Sequence, residues 1–138
     1  MNKYSKVFKP FDIRAIYNED IDEQFAQGMW YAFGIRCNKQ NKTKILIAND
    51  TRPANKCLIE AFVEGIKHAT TADITYANLP AQDEDSIDLP YGACSTSLAY
   101  YLVQHWFDYA VIFTASHNPK EYVWLKIVDS KADFVPSD

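Results

Sequence analysis

At 138 residues, with 48% hydrophobic and 23% charged side chains, the chain has the size and balance of one globular domain that can bury a core without disulfides or metal. A net charge of −4 argues against nucleic-acid binding carried by bulk electrostatics. No run of 18 apolar residues is present to span a bilayer as a helix, and Met1 to Lys6 has neither the apolar segment nor the cleavage site of a signal peptide, so the expected location is the cytoplasm.

In chain order, Val7 to Ile16 mixes apolar, proline and charged residues and predicts a short extended segment ending near Tyr17. Asp20 with Glu23 three positions on reads as a helix start, because each carboxylate can accept from an orphan amide. Ile21, Phe25, Met29 and Phe33 then recur every four residues, which predicts a helix with one face on a core. The polar run from Cys37 to Lys44 reads as a loop. Ile45 to Ala48 is a short buried strand, and Asn49-Asp50-Thr51-Arg52-Pro53 leads into a second helix, where proline suits the first turn. Leu58, Phe62 and Ile66 mark its inner face, with Ile59 and Val63 beside them.

A third strand is expected over Asp73 to Leu79, followed by an acidic segment, Pro80 to Tyr91, that reads as a solvated loop and not a metal site. Ser95 or Thr96 would cap a third helix whose apolar face includes Leu98, Tyr101 and Leu102. A buried strand up to Ala115, an extended piece from Tyr122 to Val128 and a polar, frayed tail complete the chain. Cys37, Cys57 and Cys94 are too widely spaced for a zinc pattern and odd in number, so they read as small buried side chains. Alternating strands and helices predict a three-layer α/β/α domain: a mixed, mostly parallel sheet of about four strands with helices on both faces.

The chemistry is expected in Val111-Ile112-Phe113-Thr114-Ala115-Ser116-His117-Asn118-Pro119. An apolar strand stops at small and polar residues and then at a proline, which places Ser116 at a strand end, where α/β sheets carry their sites. His117 is adjacent in sequence, and neighbours on an extended chain point oppositely, so a Ser–His dyad is disfavoured. The G-x-S-x-G elbow of serine hydrolases is missing as well. By itself Ser116 stands open between a turn hydroxyl and a carrier of a phosphoryl group, for which Arg14, Arg52, Lys120 and Lys126 offer charge if the fold gathers them.

Thr114-Ala115-Ser116-His117-Asn118-Pro119, followed by Glu121-Tyr122 and Lys126, resembles the phosphoserine signature of the phosphohexomutases, the phosphoglucomutase/phosphomannomutase enzymes. Phe8-Lys9-Pro10-Phe11-Asp12-Ile13-Arg14 is similar to the family's opening F-[KR]-x-Y-D-I-R-G. Asp50-Thr51-Arg52 is similar to its G-R-D-T-R segment, and Ser95-Thr96-Ser97 to the T-P segment that starts the third helix. The resemblance covers essentially the whole chain, residues 1–138, as the N-terminal, phosphoserine-bearing domain.

It implies that Ser116 carries a phosphoryl group to and from hexose phosphates, an isomerase chemistry of carbohydrate metabolism. A Mg²⁺ would bind through the Ser116 phosphate, and a hexose 1,6-bisphosphate would activate. Arg14 and Lys126 match motif positions facing the phosphoserine, with a proton-transfer role also open to Lys126. His117 would orient the site or contact substrate, with a structural role left open. Asn118 would touch phosphate or, with Pro119, shape the loop. The three further domains of the family, including the D-G-D-x-D-R metal loop, are not matched. The chain alone is therefore expected to bind Mg²⁺ poorly and not to complete a mutase cycle; the alternative is a free-standing, non-catalytic phosphosugar-binding or regulatory relative. Partners are the hexose phosphate and the enzyme's remaining domains, with no nucleic acid and no membrane.

Departures from the family pattern cluster on glycine. Ala15 follows the D-I-R motif, Ala48-Asn49 replaces Gly-Arg, and Val123-Trp124 replaces Asn-Gly. Trp30, Trp106 and Trp124 all fall where the family commonly has glycine, in a chain with only 4 glycines. The expectation is that the gene reads UGA as glycine.

Overall fold

The structure is a computed structural model that describes residues 4–77 and 93–136. In chain order these form β1 (Ile13–Ile16), α1 (Glu23–Lys39), β2 (Lys44–Asn49), α2 (Ala54–Ala69), β3 (Asp73–Tyr76), α3 (Thr96–Trp106), β4 (Tyr109–Thr114) and β5 (Tyr122–Asp129). The end of the third expected strand, beyond Ala77, and the acidic segment Pro80 to Tyr91 lie outside the described residues.

One sheet runs in the order β1-β5-β4-β2-β3. β2 pairs in parallel with β3 and β4, while β5 is antiparallel to both β4 and β1. The layered architecture is as the sequence implies, with five strands instead of about four. The additional strand is Ile13–Ile16, part of a stretch that turns on itself: Lys9 donates to the Asp12 carbonyl and Arg14 to that of Val7.

Period-two alternation splits the core into two layers. Ile45 and Ile47 of β2, Val111 and Phe113 of β4, and Val123 and Leu125 of β5 face α1 and α2. Leu46, Ala48, Ala110, Ile112 and Val128 face α3. The inner face read for the second helix holds, since Leu58, Ile59, Phe62 and Ile66 are fully buried. Among the described elements, helix α3 packs mainly over β2, β4 and β5.

Four local expectations are corrected. Helix α1 is capped by Asp22, which accepts from the Phe25 amide at 2.8 Å. Asp20 instead closes a turn, accepting from the Ile16 amide at 2.9 Å and pairing with Lys6. The same helix continues to Lys39, because Cys37 is a fully buried core residue, and burial pushes its thiol up to about 11. Ala99 and Val103 form the buried line of α3 while Tyr101 is 52% exposed: the small side chains let the helix sit close on the sheet. The tail is not frayed through Pro136, since Asp129 caps a turn and Val135 donates to the Ile127 carbonyl at 2.9 Å. Among the described residues no helix is long and apolar enough to cross a membrane.

The three tryptophans occupy unlike places. Trp30 is fully buried, edge-on to Phe62 with ring centres 4.7 Å apart, and its indole nitrogen has no hydrogen-bond partner. An unmatched buried donor costs about 1–3 kcal/mol. Trp106 is 56% exposed at the end of α3, and Trp124 lies on β5 opposite Arg14. Codons 30, 106 and 124 are expected to read UGA; sequencing the gene checks this, and UGG at all three would end the idea.

Candidate functional site

Parallel pairing of β2 and β4 brings Asp50 and Ser116, each just past a strand end, to the same edge of the sheet. That edge is the carboxyl side, where the sheet opens and loops diverge. The Asp50 amide donates to the Phe113 carbonyl at 2.9 Å, which continues the ladder into the loop. The Asp50 carboxylate then accepts from the Thr114 hydroxyl at 3.1 Å and the Ala115 amide at 3.3 Å. It also accepts from the Arg52 amide and Nε, and from the Asn55 side chain at 2.8 Å.

Beyond Thr114 the chain turns sharply. Ser116 has a φ of +53°, in the left-handed region that side-chain-bearing residues seldom adopt. Its amide donates to the Thr114 hydroxyl at 3.2 Å, and its exposed Oγ lies 3.0 Å from His117 Nδ1. The expectation that Ser116 and His117 point apart assumed extended backbone; the positive φ brings the two side chains together. Asn118 closes the turn, since both its amide and its side-chain nitrogen donate to the Ala115 carbonyl, at 3.0 and 3.1 Å.

Arg14 and Lys126 share the sheet face that α3 leaves partly open. The register aligns Arg14 with Trp124 and Trp124 with Thr114, a row leading across three strands to the serine turn. The Arg14 guanidinium lies 4.6 Å from the centre of the Trp124 ring, and its Nε donates to buried Asp12 at 2.8 Å. Lys126 pairs through its backbone with Ile112 one step back on the same face, and its ammonium makes no hydrogen bond or ion pair with another described residue.

Arg52, one of four cations that offer charge for a phosphate if the fold gathers them, is committed elsewhere. All five of its N–H donors are spent: Nε on Asp50, and the two terminal nitrogens on the carbonyls of Ser116, Asn118, Pro119 and Tyr122. Sequence reasoning had no signal for this role beyond the Asp-Thr-Arg triplet itself. Tyr17, also not singled out, ties β1 to the far end of the loop by donating its amide to the Glu121 carbonyl. Its hydroxyl donates to Glu23, and burial, Glu23 and Cys57 together raise its pKa.

No group of three or more His, Cys, Asp or Glu side chains that could hold a metal ion occurs among the described residues. Mg²⁺ takes one or two carboxylates together with phosphate oxygens, and the carboxylate bound to this strand end, Asp50, is saturated by Arg52, Asn55, Thr114 and Ala115. These residues do not by themselves fit a magnesium site.

The fold and the turn define a three-layer α/β/α domain with an exposed serine at the carboxyl end of a central strand. The sequence model for phosphoglucomutase/phosphomannomutase, alpha/beta/alpha domain I, matches residues 5–138. The chain belongs to this family. It is 38% identical over 126 residues to a phosphomannomutase of Methanocaldococcus jannaschii, covering 91% of this chain and 24% of that protein. It is 32% identical to a phosphoglucosamine mutase of Prochlorococcus marinus, covering 89% of this chain and 24% of that one. A crystal structure of a phosphoglucomutase/phosphomannomutase family protein from Burkholderia thailandensis superposes with a TM-score of 0.72 at 21% identity, over 94% of this chain and 27% of that one. The chain thus spans about a quarter of the length of the relatives it matches.

Proposed function

We propose that the chain is the phosphoserine-bearing first domain of a phosphohexomutase, in which Ser116 carries a phosphoryl group to and from a hexose phosphate. The observation that carries the reading is the Ser116 turn, a strained, exposed hydroxyl presented at the strand end with His117 in contact. Strain held in place by surrounding bonds is a mark of functional sites.

In the forward half-reaction a sugar hydroxyl oxygen attacks the phosphorus on Ser116. The new sugar O–P bond forms as the Oγ–P bond breaks, and the hydroxyl proton leaves as Oγ regains one. Return of the phosphoryl group reverses these changes at the sugar's other position, so a hexose 1,6-bisphosphate is both the intermediate and the compound that primes the serine. His117 Nδ1, 3.0 Å from Oγ, is placed to hold the serine proton. Arg14 and Lys126 supply fixed positive charge on the face leading to the turn, where charge develops on the transferring oxygens. Lys126, whose ammonium has no partner among the described residues, can also move a proton. Asn118 serves by holding the turn closed. Magnesium dependence would rest on the Ser116 phosphate together with donors outside the described residues. The sugar is left open, since the relatives' names include both mannose- and glucosamine-type mutases.

Incubating the full-length protein with glucose 1,6-bisphosphate tests the reading. Intact mass is expected to rise by one phosphoryl group that maps to Ser116. An adduct that maps elsewhere would sink the assignment.

A further inference from the structure

We infer that Arg52 is the positioning residue of the Ser116 turn, and that it works by gathering carbonyls so that amides face the phosphoryl group. This rests on the function proposed above and deepens it.

The inference starts from the direction of the bonds. The carbonyls of Ser116, Asn118, Pro119 and Tyr122 converge on one guanidinium, at 2.9, 2.9, 2.6 and 3.3 Å. Every peptide here is trans, so each C=O and the next N–H point in opposite directions. Drawing the Ser116 and Pro119 carbonyls inward therefore turns the His117 and Lys120 amides outward. Neither amide donates to another described residue. Outward amides on either side of a turn that begins at a left-handed residue offer backbone donors to an anion, as backbone anion-binding concavities do. A phosphoryl group on Ser116, carrying about −1.5 to −2 charge at neutral pH, is the anion such a concavity fits.

The same geometry explains how a strained serine persists. Left-handed backbone costs about 1–2 kcal/mol for a residue with a side chain, and an unrestrained turn would relax. Arg52 is itself fixed by Asp50, which also holds Thr114 and Ala115. Strand end and loop are thus tied to a single ion pair whose Arg52 side chain is only 10% exposed. Its planar fork can serve four acceptors spread along seven residues; a lysine ammonium has three donors at one point. Charge is therefore not what the position requires.

The test compares Arg52→Lys and Arg52→Ala with the native full chain. Four readouts are taken: thermal midpoint, hydrogen exchange of the amides from Ser116 to Tyr122, the rate at which Ser116 acquires phosphate from glucose 1,6-bisphosphate, and the ³¹P titration of the phosphoserine. Arg52→Lys is expected to stay folded, to exchange the turn amides faster, and to be phosphorylated about 10²–10³-fold more slowly, as when an aligned hydrogen-bond donor is lost. In the phosphorylated native protein the phosphoserine's second ionisation, followed by ³¹P shift, should lie below its ordinary value of about 6 and move back up in Arg52→Lys. If Arg52→Ala fails to fold, the lysine variant alone decides. Phosphorylation of Arg52→Lys within about threefold of the native rate would overturn the inference and leave the proposed function standing. If the native chain takes no phosphate at all, the proposed function fails. The positioning role is then judged by exchange alone, and unchanged exchange in the lysine variant overturns it.

Discussion

Ser116→Ala in the full-length protein is expected to abolish phosphoryl exchange with hexose phosphates, by about 10⁴-fold or more, as when a covalent nucleophile is removed. Water or a second hydroxyl cannot take over, because each cycle draws on a phosphoryl group stored on the protein and ends by returning one to it. The fold should be indifferent to the change: Oγ is exposed and its one hydrogen-bond partner among the described residues is His117, so the stability change should stay within about 0.5 kcal/mol. Ser116→Gly separates the two properties of the position. It also removes the hydroxyl and should be equally inactive, yet it relieves the positive φ and should be more stable than Ser116→Ala by about 1 kcal/mol. Assay of isomerase activity beside urea unfolding of the three proteins reads both effects. Retention of more than about a tenth of native activity in Ser116→Ala would rule out the carrier role and favour a binding or regulatory module.

How much of this was visible in the sequence follows from how local each cause is. Strand ends, the second helix's apolar face and the place of Ser116 depend on neighbours within a few residues, and the sequence carries those neighbours. Asp22 rather than Asp20 caps the first helix because Lys6 and the Ile16 amide claim Asp20, and that competition crosses the chain. The Ser116–His117 contact needs a positive φ that no sequence rule assigns to serine. Arg52 is the clearest case of hidden information. Its loop acceptors are backbone carbonyls 64 to 70 positions away, and carbonyls carry no residue signature. A cation near an anion-binding motif is naturally read as an anion ligand; only the geometry shows that its donors are already used. The row from Arg14 to Thr114 likewise exists only once β1 is placed beside β5, and β1 was the one strand the sequence reading did not separate from the stretch around it.

Glycines give the largest stability contrast, because two helical positions of identical chemistry meet opposite surroundings. A β-carbon built on Gly65 of α2 would stand 2.4 Å from the backbone carbonyl oxygen of Gln27 and 3.1 Å from the Tyr31 amide nitrogen, both on α1. Neither is the movable end of a side chain, so α1 and α2 must separate. These helices cover the layer that holds Ile45, Ile47, Val111 and Phe113, and separation opens that whole layer. Overpacking of this kind costs about 3 kcal/mol, a large part of a domain's usual total of about 5–15 kcal/mol. Gly28 of α1 has no heavy atom within 4 Å of the same construction, so alanine there meets nothing and gains helix propensity, about 0.5–1 kcal/mol. Urea unfolding of Gly65→Ala and Gly28→Ala should therefore shift the midpoint in opposite directions, by about 4 kcal/mol between them. Equal stability of the two variants would mean that α1 and α2 do not cross at Gly65. The loss should also reach the site, since Phe113, beneath α2, carries the carbonyl to which the Asp50 amide donates, and Asp50 in turn holds Arg52 and the serine turn.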